Sequence, residues 1–184
     1  STLDVDSTNN ITGAGTLTLS GAAAQTIDAQ IGSSANDRFG TLDINNSAGV
    51  TFTQSIYASL INDTREEGNS IINFAGTDAQ TIDAQIGSAA NDRFGTLNIN
   101  NSEGVTFIQS IYASSINDTS QEGNSIISFA GTAQEINAQI GSDANSFGTL
   151  NINNSNEVTF NQDVFVDSLD IYQGSSYVIG KDSS

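Results

Sequence analysis

The 184-residue sequence contains no cysteine, proline, methionine, tryptophan or histidine. The absence of cysteine excludes a disulfide scaffold and thiol chemistry. Basic residues are scarce: the sequence has 4 Lys and Arg against 21 Asp and Glu, so its net charge is −17. Without a basic footprint we expect no binding to nucleic acid. No hydrophobic run is long enough to span a bilayer, so we expect no direct membrane insertion by this segment.

The sequence repeats itself with a period of 55 residues. Residues 21–75 and 76–130 align without a gap and are identical at 45 of 55 positions, and a shortened third copy begins at Gly131. Repeats of this size indicate one structural unit stacked along an axis. We therefore predict a single solenoid over residues 1–184, with a partial N-terminal rung at 1–20, repeats at 21–75 and 76–130, and a shortened repeat at 131–184. A rung is one circuit of the chain around the axis.

A shorter pattern inside each copy has the period of a β-strand. Segments such as Thr41–Ile44 and Thr96–Ile99 place apolar residues two apart with polar residues between them, as in a strand with one buried face. Seven such segments start 25, 30, 25, 30, 23 and 19 residues apart, which predicts about seven rungs, two in each 55-residue repeat. One alignment position predicts a core stack formed by Ile27, Phe52, Ile82, Phe107, Ile136, Phe160 and Ile179.

Glycine and asparagine alternate at the predicted corner between strands, where the residues are Gly21, Asn46, Gly76, Asn101, Gly131 and Asn154. These two residue types tolerate a left-handed backbone at least cost. A left-handed corner in every rung is expected of an all-β, right-handed parallel β-helix, which is the fold class that we predict. An antiparallel β-sandwich would instead need two-residue hairpins at intervals of about 8–12 residues.

The segment Thr12–Gly21 (Thr-Gly-Ala-Gly-Thr-Leu-Thr-Leu-Ser-Gly) resembles the autotransporter-associated β-strand repeat of bacterial type V secreted passenger domains. The wider pattern Gly-Thr-Leu-Asn-Ile-Asn-Asn-Ser, followed by Val-Thr-Phe, is similar to passenger repeats of the rickettsial surface cell antigens. This resemblance implies a β-helix displayed outside the bacterial cell and tethered to the outer membrane by a barrel domain that is not in this chain. It also implies a host-cell surface receptor or a sister passenger domain as the partner.

Two families of loops interrupt the strand pattern. The short loops are Gly32–Gly40, Gly87–Gly95 and Gly141–Gly148, and the long loops are Asn62–Ser70 and Asn117–Ser125. Recognition residues concentrate on loops that a rigid scaffold holds in place. The core of the short loop is unchanged between the first two copies, which makes its residues the candidate binding residues: Asn36, Asp37, Arg38, Asn91, Asp92 and Arg93. Phe39, Phe94 and Phe147 are expected to lie buried beneath these loops.

The acidic residues do not predict a catalytic or metal site. β-Helical hydrolases and lyases need carboxylates that converge with one another or with a basic residue, whereas Asp28 and Asp83 recur simply because the repeat recurs. Asp63, Glu66 and Glu67 would supply oxygen ligands for calcium, but their spacing matches neither an EF-hand nor the Gly-Gly-x-Gly-x-Asp nonapeptide. We therefore expect no enzyme activity and no cofactor.

Two functions remain open at this point. In the first, the segment is a passive spacer, since duplication of near-identical copies changes length above all. In the second, the loops or a polar surface bind a host receptor or the same protein on a neighbouring cell. The polar surface in question is a ladder of Thr26, Thr51, Thr81, Thr106 and Thr159, interrupted by Glu135.

Overall fold

The computed structural model describes residues 4–5, 10–65, 69–88, 93–120, 123–172 and 174–179. The candidate residues Asn91 and Asp92, and the acidic residues Glu66 and Glu67, lie outside the described residues. Within the described part all regular structure is β-strand and no helix occurs. The strands are β1 Asp4–Val5, β2 Ile11–Thr12, β3 Thr16–Gly21, β4 Gln25–Ile27, β5 Phe39–Asn46, β6 Val50–Phe52, β7 Ile56–Asp63, β8 Ile71–Phe74, β9 Gln80–Ile86, β10 Phe94–Ile99, β11 Val105–Phe107, β12 Ile111–Asp118, β13 Ile126–Phe129, β14 Gln134–Ile140, β15 Phe147–Ile152, β16 Glu157–Phe160, β17 Val166–Ile171 and β18 Ser176–Ile179.

The strands stack in parallel to form a β-solenoid of about seven rungs, which confirms the predicted fold class. Thr16 pairs with Thr41 on the next rung, and Ile82 pairs with Phe107. The rungs differ in length, from 19 residues between Thr41 and Leu60 to 26 residues between Ile56 and Ile82. The one antiparallel strand pair among the described residues joins β1 to β2 at the N-terminal end.

Each full rung contains three strand segments, and these segments stack into three columns of parallel sheet. Strands β7, β9, β12 and β14 pass from one column to the next, with a register shift at Tyr57/Leu60 in β7 and at Tyr112/Ser115 in β12. Column 1 consists of segments 16–21, 41–46, 60–63, 85–86, 111–112, 134–137, 157–160 and 176–179. Column 2 consists of 25–27, 50–52, 71–74, 94–99, 113–118, 139–140 and 164. Column 3 consists of 11, 31, 56–57, 80–82, 105–107, 126–129, 147–152 and 166–171.

The 55-residue repeat spans two and one third rungs, not the two that its spacing predicts. Each copy contributes seven strand segments at three per rung. Segment 16–21 therefore lies in column 1, whereas its equivalent 71–74 lies in column 2 and 126–129 lies in column 3. The sequence analysis began the long loop at Asn62 and assigned no strand to 60–61, although residues 60–63 form a strand beside 41–44. Successive copies are thus rotated by one third of a circuit, and after three copies the chain returns to column 1.

The predicted core stack divides among the three columns for the same reason. Ile27 lies on Phe52 in column 2, Ile82 lies on Phe107 in column 3, and Ile136, Phe160 and Ile179 follow one another in column 1. Five of these seven side chains are buried, Ile27 is half-buried and Ile179 is 57% exposed. A ladder of phenylalanines crosses the columns inside the core, with ring centroids 5.5–6.3 Å apart from Phe52 through Phe74, Phe107 and Phe129 to Phe160, within the range of favourable aromatic pairs.

The corner glycines do not all have the left-handed backbone that we predicted. Gly21 has a φ of +146°, but the φ of Gly76 and Gly131 is not in the left-handed region. A Cβ atom at Gly76 would lie 2.6 Å from the carbonyl oxygen of Thr53, and one at Gly131 would clash with the carbonyl oxygen of Ile108. Glycine is needed at these two corners because another backbone approaches closely.

The corner asparagines act through their side chains. Asn46, Asn101 and Asn154 are buried, and each donates a hydrogen bond from Nδ2 to the Oε1 of a glutamine on the preceding rung, at 2.9, 3.0 and 2.6 Å to Gln25, Gln80 and Gln134 respectively. Gln80 and Gln134 in turn donate from Nε2 to main-chain carbonyls one rung earlier. Buried polar groups need such partners, so these amides bind successive rungs together at each corner.

Candidate interaction surfaces

The short loop of the first copy directs its arginine inward. Arg38 Nη2 lies 2.6 Å from Asp83 Oδ1, and the side chains of Arg38 and Asp83 are 29% and 3% exposed. Phe39 pairs with Ala58 one rung on, and Asp83 pairs with Tyr57 from the rung after that. The ion pair therefore bridges two rungs, and we call this arrangement the two-rung clamp. A guanidinium held in this way is not available as a free cation for a ligand.

The rest of this loop is held by its own hydrogen bonds. Ser33 donates from Oγ to Asp37 Oδ2 at 2.7 Å, and the main chain closes a turn between Asp37 N and Ser34 O at 3.1 Å. Asn36 and Asp37 are exposed at the tip of this turn. Phe39 is buried beneath it, as Phe94 and Phe147 are in the later copies. The loop thus presents a small acidic tip above an apolar base.

The second copy preserves the two-rung clamp with neutral partners. Arg93 Nη2 donates to the carbonyl oxygens of Ala113 and Asn137 at 2.7 and 2.8 Å, and Nη1 donates to Asn137 Oδ1 at 3.1 Å. Asn137 has the place in this clamp that Asp83 has in the clamp of Arg38. In the third copy Ser146 replaces the arginine, and its Oγ donates to Asp167 Oδ1 at 2.5 Å. The arginines that we predicted as binding residues therefore have a structural role in every described contact.

Equivalent loops lie on different edges of the rod. The loop Gly32–Gly40 connects column 3 to column 1, and Gly141–Gly148 connects column 2 to column 3. The described flanks of the second short loop, 87–88 and 93–95, lie between columns 1 and 2. The described flanks of the long loops lie between columns 1 and 2 in the first copy and between columns 2 and 3 in the second. Near-identical copies therefore do not build a linear array of near-identical loops on one edge.

The threonine ladder is divided among the faces as well. Thr26 pairs with Thr51 in column 2, Thr81 pairs with Thr106 in column 3, and Thr159 pairs with Glu135 in column 1. In column 2 the polar row continues as amides, because Asn73 donates to Thr51 Oγ1 at 3.3 Å and Asn98 donates to Asn73 Oδ1 at 2.9 Å. The ladder is therefore a set of short polar patches and not one continuous flat surface.

The long loops are closed by buried aspartates. Asp63 accepts hydrogen bonds from the main-chain N of Ser70 at 2.9 Å, from Ser70 Oγ at 2.8 Å and from the main-chain N of Arg65 at 2.9 Å. Asp118 is used in the same way by Ser125 and Ser120. These carboxylates satisfy loop donors. Among the described residues no group of three or more Asp and Glu is placed to hold a metal ion.

The third copy differs from the first two around one surface pocket of about 310 Å3. Glu135 replaces the threonine of the ladder, and Glu157 replaces the glycine found at 49 and 104. Asn161 replaces Thr53 of the first copy and Ile108 of the second. All three line the pocket. Glu135 accepts from the Tyr112 hydroxyl at 2.9 Å and from Asn161 Nδ2 at 2.7 Å. Such a pocket can accept further hydrogen bonds from cationic or hydroxyl groups.

Burial raises the pKa of the Tyr112 hydroxyl, and the adjacent Glu135 carboxylate raises it further. A phenolate beside this carboxylate would be unfavourable, so Tyr112 remains a donor to Glu135 well above neutral pH. The sequence offered one signal for this site, which was the interruption of the threonine ladder at Glu135. It could not show that Glu157 and Asn161 lie beside it.

The described chain contains no helix long and apolar enough to cross a membrane. No protein-family model, curated protein or solved structure matches this chain.

Proposed function

We propose that this chain is a rigid, non-catalytic spacer displayed on the outside of a bacterial cell. The observation that best supports a spacer is the rotation of the repeat by one third of a circuit, which places equivalent loops on different edges. A binding array built by duplication would need its loops on one edge. Duplication here adds length and preserves the core.

The internal contacts support the same proposal. The Arg38–Asp83 clamp and the corner amides together join rungs at several points around the axis. Because every rung is hydrogen-bonded to its neighbours in three columns, bending would have to break several bonds at once. The rungs are spaced by about 4.8 Å, so a copy of two and one third rungs adds about 11 Å of stiff length.

Its placement outside the cell is supported by the sequence. The resemblance of Thr12–Gly21 to a passenger-domain repeat favours surface display, and a net charge of −17 keeps neighbouring rods apart by repulsion. The receptor or sister-domain partner that the resemblance implies would then belong to another part of the assembly.

Changing the number of copies tests the spacer. A variant in which residues 76–130 are duplicated should have a maximum dimension about 11 Å greater in small-angle X-ray scattering, and deletion of 76–130 should shorten the protein by the same amount. Beads coated with each variant should attach to cultured host cells equally poorly. Attachment that rises with copy number would contradict the spacer and would show that the repeats themselves are adhesive.

The pocket of the third copy favours a second candidate function, which is direct adhesion. Its three copy-specific residues converge on one unique site, as expected of selection for a contact. Glu135→Thr combined with Asn161→Thr would restore the residues of the first copy and should abolish bead attachment if the pocket is adhesive. Glu103→Gln, at an exposed acidic residue on another face, is the matched control. Attachment that survives the double change would reject the pocket as an adhesion site.

A further inference from the structure

The pocket of the third copy contains a carboxylate that neutral groups hold in place. The pocket has a volume of about 310 Å3, which is within the range of small-molecule sites. Glu135 is half-buried in its wall. Its two carboxylate oxygens accept separate hydrogen bonds, from the Tyr112 hydroxyl at 2.9 Å and from Asn161 Nδ2 at 2.7 Å. These donors fix the position of the carboxylate without neutralising its charge.

The charge of this pocket has no cation beside it. Glu157 lies in the wall together with Glu135, and within the described ranges neither carboxylate forms an ion pair. Two neighbouring charges of one sign are unfavourable, above all where one of them is half-buried, unless an opposite charge compensates them. The net charge of −17 also raises the local concentration of cations around the molecule. The pocket therefore favours a cationic ligand.

The third copy loses a stabilising contact at the point where Glu157 enters the pocket. In the second copy this position is Gly104, whose φ is +102° and whose main-chain N donates to Asn101 Oδ1 at 3.0 Å. The equivalent acceptor in the third copy, Asn154 Oδ1, is buried without a hydrogen-bond partner. Asn154 is bonded through Nδ2 to Gln134, another residue of the pocket wall. Proteins break local rules of this kind chiefly at functional sites, so we expect Glu157 to serve binding.

The acceptors in the wall match the donors of a primary ammonium group. An ammonium group has three N–H donors and no acceptor. Three acceptors are available from the carboxylates of Glu135 and Glu157 and from the Oδ1 of Asn161. Calcium would instead take about six to eight oxygen ligands, and the described residues include no group of three or more Asp and Glu that could hold a metal ion.

We infer that the pocket of the third copy binds a primary ammonium group on a short alkyl chain, such as a lysine side chain of a partner or a free alkylamine. This inference rests on the pocket that we proposed as a second candidate adhesion site, and it names the chemistry of the ligand. The first two copies have threonine and glycine where the third has Glu135 and Glu157. The equivalent corners of those copies should therefore not bind an ammonium group.

A titration followed by 1H–15N correlation spectra of the whole chain tests this inference. Salt at about 0.15 M screens the diffuse attraction of cations to the acidic surface. Butylamine, which has the four-carbon stem of lysine, is the probe, and butanol is its neutral match. Butylamine should shift the main-chain signals of Glu135, Glu157 and Asn161 and leave those of Thr81 and Gly104 in place. Butanol should shift none of them.

Two variants and a matched control test the two carboxylates. Glu135→Gln and Glu157→Gly should each weaken butylamine binding by about tenfold or more, because each removes a charged acceptor. Glu103→Gln removes the same charge at an exposed position outside the pocket. It should change the affinity by less than about twofold, because salt screens a distant charge. Glu157→Gly should raise the Tm while it weakens binding, so a loss of folding could not explain its lower affinity.

Several results would overturn the inference. These are the absence of any shift at the pocket, equal weakening by Glu103→Gln, and butanol that binds as tightly as butylamine. Calcium that shifts the same signals and displaces butylamine would also overturn it, because the pocket would then be a metal site.

A blocked lysine, Nα-acetyl-lysine amide, distinguishes the two sources of the ammonium group. Its binding would support a lysine side chain as the ligand, whereas binding of butylamine alone would support a free amine. Bead attachment is scored separately. Attachment that depends on the pocket without any binding of amines would reject this ligand and keep the adhesion site, whereas binding of amines without attachment would reject adhesion alone. Neither result changes the length per copy on which the spacer depends.

Discussion

Replacing Glu157 with glycine is expected to stabilise the third copy. In the first copy Asn46 Oδ1 accepts from the main-chain N of Ala48 and Gly49 at 2.9 and 3.1 Å, and the φ of Gly49 is +100°. Asn101 makes the same two bonds, and Gly104 has a φ of +102°. The equivalent Asn154 Oδ1 is buried without a hydrogen-bond partner. A residue with a side chain adopts such a φ only at a cost, so the loop before Glu157 takes another path.

The size of the effect follows from two opposing contributions. An unsatisfied buried acceptor costs about 1–3 kcal/mol, and Glu157→Gly removes this cost by allowing the loop to turn toward Asn154. Glycine loses about 0.5–1 kcal/mol through the greater freedom of the unfolded chain. The net gain should be about 1 kcal/mol, which corresponds to about 2–4 °C in Tm for a chain of this length.

Thermal unfolding monitored by circular dichroism measures the gain, and amide hydrogen exchange locates it. The main-chain N–H groups of residues 156 and 157 should exchange more slowly in Glu157→Gly than in the wild type. The reverse change, Gly104→Glu, is the matched control and should destabilise by about 2 kcal/mol, through a strained φ and two lost hydrogen bonds. If Glu157→Gly lowers the Tm and residue 157 exchanges no more slowly, the orphaned Asn154 oxygen does not explain the difference between the copies.

Three further predictions concern the clamp, a crowded glycine and alkaline pH. Arg38→Met should lower the free energy of unfolding in urea by about 1–3 kcal/mol, because it leaves the buried Asp83 carboxylate without its cation. Arg93→Met, at an arginine whose partners are neutral, should lower it by about 1 kcal/mol. Equal losses would show that the charge of Asp83 is unimportant. Gly32→Ala should lower the Tm far more than Gly123→Ala. Both glycines have a left-handed φ, but a Cβ at Gly32 would clash with the Tyr57 carbonyl, whereas the nearest atom to a Cβ at Gly123 would be 3.8 Å away. Similar losses in Tm would refute the steric reasoning. The raised pKa of Tyr112 favours the protonated native state, so this contribution to stability is complete below about pH 10 and is lost as the pH rises through the native pKa. Tyr112→Phe should therefore reduce the loss of stability at alkaline pH, measured by urea unfolding over a range of pH. An unchanged loss of stability at alkaline pH would contradict this assignment.

The candidate site was less predictable than the fold. The sequence correctly identified Phe39, Phe94 and Phe147 as residues beneath the short loops. The sequence also singled out Arg38 and Arg93 in those loops, but it predicted that they bind a partner and did not predict their structural role. Their structural role depends on Asp83 and Asn137, which lie 45 and 44 residues further along the chain and two rungs away. Local spacing contains no information about contacts at that separation.

The sequence by itself determined the local structure and indicated a stack of about seven rungs, although it predicted two rungs per copy instead of two and one third. Alternation of apolar and polar residues, as in Thr41–Ile44, specifies strands with one buried face, and the long repeat specifies that such strands stack. Tertiary structure alone decided how many segments make a rung. Segment 60–63 is short and partly polar, and it becomes a strand because column 1 already has a free edge at 41–44.

The pairing of 60–63 with 41–44, and its equivalent in the later copies, rotates each copy by one third of a circuit relative to the preceding copy. This rotation sets the edge on which each loop lies. A strand pairs with the free strand edge that lies nearest when the chain completes a circuit around the axis. The position of that edge is a property of the assembled stack. The residues of one copy therefore fix its strands, while the stack beneath them fixes the direction in which that copy faces.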